Sequence, residues 1–475
     1  MLFNSLTFLI FFIIVYSVYI FLNHKWQNRM LLVASYIFYG WWDWRFLFLI
    51  LISTSIDFIC ALKIYETDDI KRRKFFLYLS MIGNLSILGF FKYFNFFASN
   101  LQALLGHCGI TIQLHILHII LPLGICFYTF QAMSYVIDVY RRETEATKNF
   151  LDYSLFIAFF PHMIAGPIQK AGQLLAQVAS PRKLTPEKFG EGCYLIFWGL
   201  FQKMFVADNL AKIVEPVFAG SVPYNGMMVL LALYAFAFQI YCDFAGYSDI
   251  ARGLAKCMGF DFMVNFNLPY FSVNPRQFWQ RWHISLSKWF KDYVYIPLGG
   301  NQKGLAMTCR NLGITMFLGG LWHGAGWTFI IWGMYQGALI IVHRLLEPLL
   351  KKIPSPKGVI TEKAWFLIRV VFFFHFTCFG LLIFRAQSIT QILNMLHGIV
   401  FSFTAVGMNI SSVALSIVSL TWLLVLVQAV QFIKDDPLFI SRSNVVIKSL
   451  FFAACCYLVS KKGVSNGEAF IYYIF

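Results

Sequence analysis

Long apolar runs, separated by short polar and basic loops, set the pattern of this chain. The first run is Leu2–Leu22 and the last is Val446–Val459. A membrane-spanning helix needs about 20 apolar residues, since the hydrocarbon core is about 30 Å thick and each residue rises 1.5 Å. About 11 runs approach that length, with shorter or broken ones between them. Met30–Tyr39 and Phe46–Leu62 predict a hairpin around GWWDWR, where Trp41, Trp42 and Trp44 suit an interfacial aromatic belt. Phe75–Phe91 is a further span, and the more polar FKYFNFFASNLQALL after it predicts a separate interfacial or re-entrant helix. Ile119–Val139, Gly190–Val206, Gly226–Tyr241, Cys309–Leu321, Thr328–His343, Trp365–Phe384 and Val413–Phe432 are the other expected spans. Only helices and closed barrels satisfy the backbone in lipid, so the expectation is an all-α polytopic bundle.

Two stretches break the pattern. In Leu155–Lys170, two prolines and a glycine interrupt the apolar run. Irregular backbone at membrane depth requires cover from protein or a water-filled cavity, which predicts a re-entrant element. His162 belongs either to the wall of such a cavity or to a helix end. Arg276–Tyr293 reads as one amphipathic helix. Phe278, Trp282, Ser285 and Trp289 share a face, flanked by Trp279, His283, Leu286 and Phe290; Gln277, Gln280, Arg281, Lys288 and Lys291 lie opposite.

Composition supports the membrane reading. Of 475 residues, 59% are hydrophobic and only 13% charged, and the mean hydropathy is +0.67. A soluble domain carries about 25% charged residues. The net charge of +16 does not point to nucleic acid, because Lys and Arg sit in the loops, as the positive-inside rule expects. Lys25 and Arg29 follow the first run and no Lys or Arg precedes it. The N-terminus is therefore expected outside, and Lys63–Lys74 and Ala179–Lys188 in the cytoplasm. The first run has no basic residue before it and no small-residue cleavage site, so a retained span is expected rather than a signal peptide. Ten cysteines include no C-x-x-C, and His107, His115 and His118 have no accompanying carboxylate, so no metal site is expected. No repeat or mirrored half is visible, which disfavours transport, the main non-enzymatic alternative.

Ionisable residues in apolar sequence are candidates for function. Asp243 and Asp249 in CDFAGYSD are either functional or paired, with Arg252 or Arg276 as candidate partners. His323 lies in GGLWHGAGW, where four glycines permit unusual dihedrals and close backbone approach. A neutral imidazole there suits a general base for acyl transfer, and a hydrogen bond between helices is the structural alternative. His283, in RWHISLS, fits amphipathic packing as well as catalysis. No G-x-S-x-G, H-E-x-x-H or H-x₄-D occurs; position 288 is Lys.

Taken together, FYTFQAMSYVIDVY, LFIAFFPHMIAGPIQK, RWHISLS, PLGGN and LWHGAGW resemble the membrane-bound O-acyltransferases. The likeness covers nearly the whole chain and is densest at 120–170 and 238–335. It is closest to the bacterial branch of alginate O-acetylase membrane subunits, peptidoglycan O-acetyltransferases and teichoic acid D-alanyl transfer proteins. The resemblance implies a single domain over 1–475, with a catalytic core at about 120–345 and a central tunnel. It implies that His323 and His283 are catalytic, and that Trp322, Trp282, Arg281, Asp243 and Asp249 contact substrate. It implies no bound cofactor. The acyl group would come from a cytoplasmic thioester, acetyl-coenzyme A by expectation, with Arg281, Lys288 and Lys291 receiving its phosphates. The acceptor would be a polysaccharide or an extracytoplasmic partner protein, and the location a bacterial inner membrane. D-alanyl transfer to teichoic acid, and a subunit that only scaffolds another acyltransferase, remain open.

Overall fold

The computed structural model describes residues 1–110, 112, 117, 119–164, 166–354, 356–403 and 410–464. Among them every regular element is a helix. Six helices are long and apolar enough to cross a membrane: Arg45–Tyr65, Ile70–His107, Gly226–Cys257, Trp327–Leu350, Val359–Arg385 and Ile410–Lys434. The remaining apolar runs fold as shorter or less apolar helices, among them Leu6–Tyr19 and Ile389–Phe401. Chain contacts group into two units. One comprises Met1–Cys193 with Ala251–Met263, the other Tyr194–Ile250 with Val264–Phe475.

In the first unit, polar knots tie apolar helices together. Asp57, fully buried, accepts hydrogen bonds from Ser80 and from the Asn84 amide at 2.8 Å, joining Arg45–Tyr65 to Ile70–His107. Arg182 donates to Tyr19, Asn28 and Gln27 at 2.8–3.0 Å. Such bonds hold helices together where lipid provides no hydrophobic drive.

Two expectations in this unit are corrected. FKYFNFFASNLQALL is not a separate interfacial helix; it continues Ile70–His107, a helix of 38 residues. No proline interrupts it, and Asn100 folds its amide back on the Phe96 carbonyl at 2.7 Å, so the polar residues cost no backbone bond. At 1.5 Å per residue it is about 57 Å long, well beyond a hydrocarbon core. The span expected from Ile119 starts only at Ile125, because Pro122 and Gly124, the latter at φ 71°, form a turn before it. A Cβ on Gly124 would lie 2.2 Å from the Met163 carbonyl oxygen, which explains glycine there. His107 ends its helix; His115 and His118 lie outside the described residues.

The break at 155–170 is present. Phe150–Ala158 stops, Phe160–Met163 makes one turn, and residues 167–170 have no regular structure. His162 is buried between Phe159 and Phe262, at ring distances of 6.2 and 5.8 Å, which places it in aromatic packing at a helix end.

The expected span Gly190–Val206 is also revised. The helix Pro186–Leu200 opens into a widened π turn, Phe201–Ala207, followed by Asp208–Phe218. The widened turn lets Lys203 reach Asp208, five residues on, at 2.9 Å. Such turns are frequent at functional sites. Trp198, Phe201, Phe236, Trp282, Trp332 and Phe384 belong to one continuous buried core here.

Candidate functional site

His323 is placed by two helices that touch through their backbones. Gly304–His323 and Trp327–Leu350 are joined by the extended residues Gly324 and Gly326, at φ −164° and −162°. A Cβ on Gly320 would come within 2.4 Å of the Phe329 carbonyl oxygen, and one on Gly333 within 2.6 Å of Met316's. Glycine is thus required where the helices cross, the small-residue packing that membrane helices favour. The crossing brings the His323 ring to 4.8 Å from Trp332, 4.9 Å from Trp322 and 5.3 Å from Phe384, each nearly perpendicular. His323 is 4% exposed.

His283 overturns the expectation of one helix over Arg276–Tyr293. Two short helices, Pro275–Arg281 and Ile284–Phe290, flank an extended Trp282 and a left-handed His283 at φ 42°, ψ 55°. The reason lies in residues 265–267. Asn267 N–H donates to the Arg281 carbonyl at 2.9 Å, and Ile284 N–H to the Asn265 carbonyl at 2.8 Å. The Asn265 side-chain oxygen accepts from the Ser285 N–H at 3.2 Å and from its hydroxyl at 2.9 Å. These bonds replace the helical ones and offset a conformation that costs a non-glycine residue about 1–3 kcal/mol. The His283 ring, fully buried, meets Phe244 at 4.8 Å and Trp322 at 5.8 Å. Burial pushes its imidazole down to about 3, so it is neutral at ordinary pH.

A cavity of about 800 Å³ opens in the second unit. His323, Trp332 and Trp279 line it, together with the basic side chains Arg276, Lys288, Lys291 and Arg344. Trp322 bridges the two histidines, with one ring contact to each. His283, Trp322, Trp282 and Arg281 are not among the lining residues. Trp282 stacks on Phe278 at 5.5 Å, and Arg281, half-buried, donates to the Asn267 carbonyl at 3.2 Å.

Asp243 and Asp249 are also absent from the cavity wall. Asp243 pairs with Lys203 at 2.6 Å, and that lysine also holds Asp208; all three side chains are at most 3% exposed. Asp249 accepts from Gln202 at 3.3 Å. Lys203 is therefore a partner of Asp243 that the sequence reading did not name. A lysine inside the apolar run FQKMFVA was the available signal. The sequence does not place Trp279, Arg276 and Arg344 on a cavity wall or Asn265 beside Ser285, because folding alone brings them there. No group of three His, Cys, Asp or Glu side chains suited to a metal occurs among the described residues.

Residues 141–384 match the sequence model of MBOAT, the membrane-bound O-acyltransferase family. The chain is 42% identical over 408 residues to the "Probable alginate O-acetylase AlgI" of Azotobacter vinelandii, covering 85% of this chain and 78% of that protein. It is 34% identical over 404 residues to the peptidoglycan O-acetyltransferase of Helicobacter pylori, covering 80% and 74%. Against the teichoic acid D-alanyltransferase of Bacillus subtilis it is 29% identical over 279 residues, covering 56% and 69%. A multi-pass helical chain with glycine-crossed helices beneath a buried histidine, matched over half its length by that family, belongs to the membrane-bound O-acyltransferases and is an O-acyltransferase.

Proposed function

We propose that this protein takes an acetyl group from a cytoplasmic thioester, acetyl-coenzyme A, and passes it toward hydroxyl groups of an extracytoplasmic polysaccharide. A bacterial inner membrane is the setting. The acceptor is either the glycan itself or a partner protein that hands the group on. The observation that carries this reading is one cavity whose wall holds both His323 and a cluster of four basic side chains. The basic cluster (Arg276, Lys288, Lys291 and Arg344) suits the phosphates of coenzyme A. Arg281, half-buried, off the cavity wall and bonded to the Asn267 carbonyl, is left with a role in holding the chain beside the site.

In the reaction, a neutral His323 accepts the proton of the attacking hydroxyl as the C–O bond forms. The tetrahedral intermediate collapses, the C–S bond breaks, and the proton goes from the imidazolium to the departing thiolate. A base in that position contributes about 10²–10⁴-fold in rate. His283, neutral and one ring away, orients Trp322 and the second wall of the site. Asp243 and Asp249 serve the structure around it rather than the substrate. Polysaccharide acetylation is favoured over D-alanyl transfer by the higher identity and longer overlap with the O-acetylating relatives.

The test measures acetyl content of surface polysaccharide in cells carrying wild type, His323→Ala or His283→Ala at matched membrane levels. Loss of acetyl groups in His323→Ala with the protein still folded is expected. Unchanged acetylation would sink the catalytic assignment and leave a scaffold.

A further inference from the structure

Among the cavity-wall donors that the chemistry so far does not use, the Trp279 indole is the one next to the ring that packs on His323. Trp279 sits in the helix Pro275–Arg281, whose start is fixed by Pro275 and by Asn274 accepting from the Gln277 N–H at 2.9 Å. Its ring packs edge-to-face on Trp332 at 6.0 Å, and Trp332 in turn packs on His323 at 4.8 Å. Trp279, Trp332 and His323 line the same cavity. The Trp279 indole nitrogen is buried and makes no hydrogen bond among the described residues.

An indole N–H only donates, and a buried donor without an acceptor is costly. Buried tryptophans usually find a partner for that hydrogen. Here the ring borders a cavity with a base close by, so the partner is sought in the ligand. An anionic group would be drawn to Arg276, Lys288, Lys291 and Arg344 on the same wall. A neutral, directional N–H among aromatic rings packed edge to face suits a carbonyl oxygen instead.

Resting on the function proposed above, we infer that the Trp279 indole N–H donates a hydrogen bond to a carbonyl oxygen of the acyl-thioester substrate. Two carbonyls of that class reach such a site, the acyl carbonyl next to sulfur and an amide carbonyl of the pantetheine arm. In the first case, negative charge builds on the oxygen as the hydroxyl attacks, and the N–H stabilises it while keeping its own proton. In the second, the bond seats the donor and does not change during the reaction.

The experiment uses membrane vesicles containing the full-length protein and its native polysaccharide, supplied with radiolabelled acetyl-coenzyme A. Wild type, Trp279→Phe and His323→Ala are compared at matched protein levels. Trp279→Phe keeps an aromatic ring and removes the N–H. A fall in kcat of about tenfold or more at unchanged KM assigns the acyl carbonyl. A rise in KM of about tenfold at unchanged kcat assigns the pantetheine carbonyl. Both constants within about twofold of wild type, with His323→Ala inactive, would overturn the inference and leave the proposed function standing. Wild type that transfers no label, or His323→Ala that transfers as much, overturns both. If Trp279→Phe does not accumulate, the benzothiophene analogue of tryptophan placed at 279 keeps the shape without the N–H. The same two constants then decide.

Discussion

The side-chain oxygen of Asn265 accepts two hydrogen bonds from Ser285, one from its backbone N–H and one from its hydroxyl, and so fixes the left-handed turn at His283. Asn265→Leu removes the acceptor and leaves both donors buried. A loss of about 1–3 kcal/mol for each unsatisfied donor is expected, with a matching fall in acyl transfer. Asn265→Asp retains the acceptor oxygen and should recover most of the activity. Thermal unfolding in detergent and acetyl incorporation measure the two effects. Equal activity in wild type and Asn265→Leu would show that the turn holds without this clamp.

The Lys203 cluster is expected to respond differently to single and double changes. Lys203→Met leaves Asp208 and Asp243 buried without their shared cation. Removing one partner from a buried ion network costs about 3–5 kcal/mol, whereas neutralising the partners together costs less. Lys203→Met combined with Asp208→Asn and Asp243→Asn should therefore unfold at a higher temperature than Lys203→Met alone. Additive losses in that comparison would show that the three groups are not energetically coupled.

Backbone contact at the crossing of Gly304–His323 with Trp327–Leu350 gives a sharper test within one helix. Gly320→Ala puts a methyl within 2.4 Å of a carbonyl oxygen, and the helices must part. A cost of about 1–3 kcal/mol is expected, with loss of activity because His323 moves with its helix. Gly319→Ala meets nothing within 4 Å and should leave the unfolding temperature unchanged. Gly319 borders the cavity, so that control is read on stability alone. Similar unfolding temperatures for the two variants would remove the crossing as the reason for glycine.

The architecture was legible in the chain wherever lipid or backbone chemistry dictates it. Apolar runs flagged the spans, and Pro161, Gly166 and Pro167 flagged the interrupted segment after Phe150–Ala158. His323 stood out because four glycines surround it, and the crossing of Gly320 on Gly333 supplies the physical reason for two of the chain's close-packed glycines. The turn at His283 was not legible. Its neighbours follow a helical period, and the bonds that break the helix come from Asn265 and Asn267, which no local pattern connects to it. The length of Ile70–His107 was misread for the opposite reason: Lys92, Asn95 and Asn100 looked like an end, although nothing in their backbone chemistry stops a helix. Asp243, costly as a lone carboxylate in an apolar run, reads as functional or paired, and only folding brings Lys203 to it.

Burial of His283 also fixes the direction of a pH response. Its imidazole is held down to about 3 in the folded protein, against about 6.5 in an unfolded chain. The folded state then binds fewer protons than the unfolded state between those values. The stability contributed by the neutral ring is fully present above about pH 6.5 and is lost as pH falls from there toward 3. The slope is at most about 1.4 kcal/mol per pH unit. His283→Asn has no proton to gain, so its unfolding temperature should fall less steeply between pH 6.5 and 4.5 than that of wild type. Parallel curves for the two proteins over that range would mean that His283 gains its proton without unfolding, and that the ring is not sealed from water.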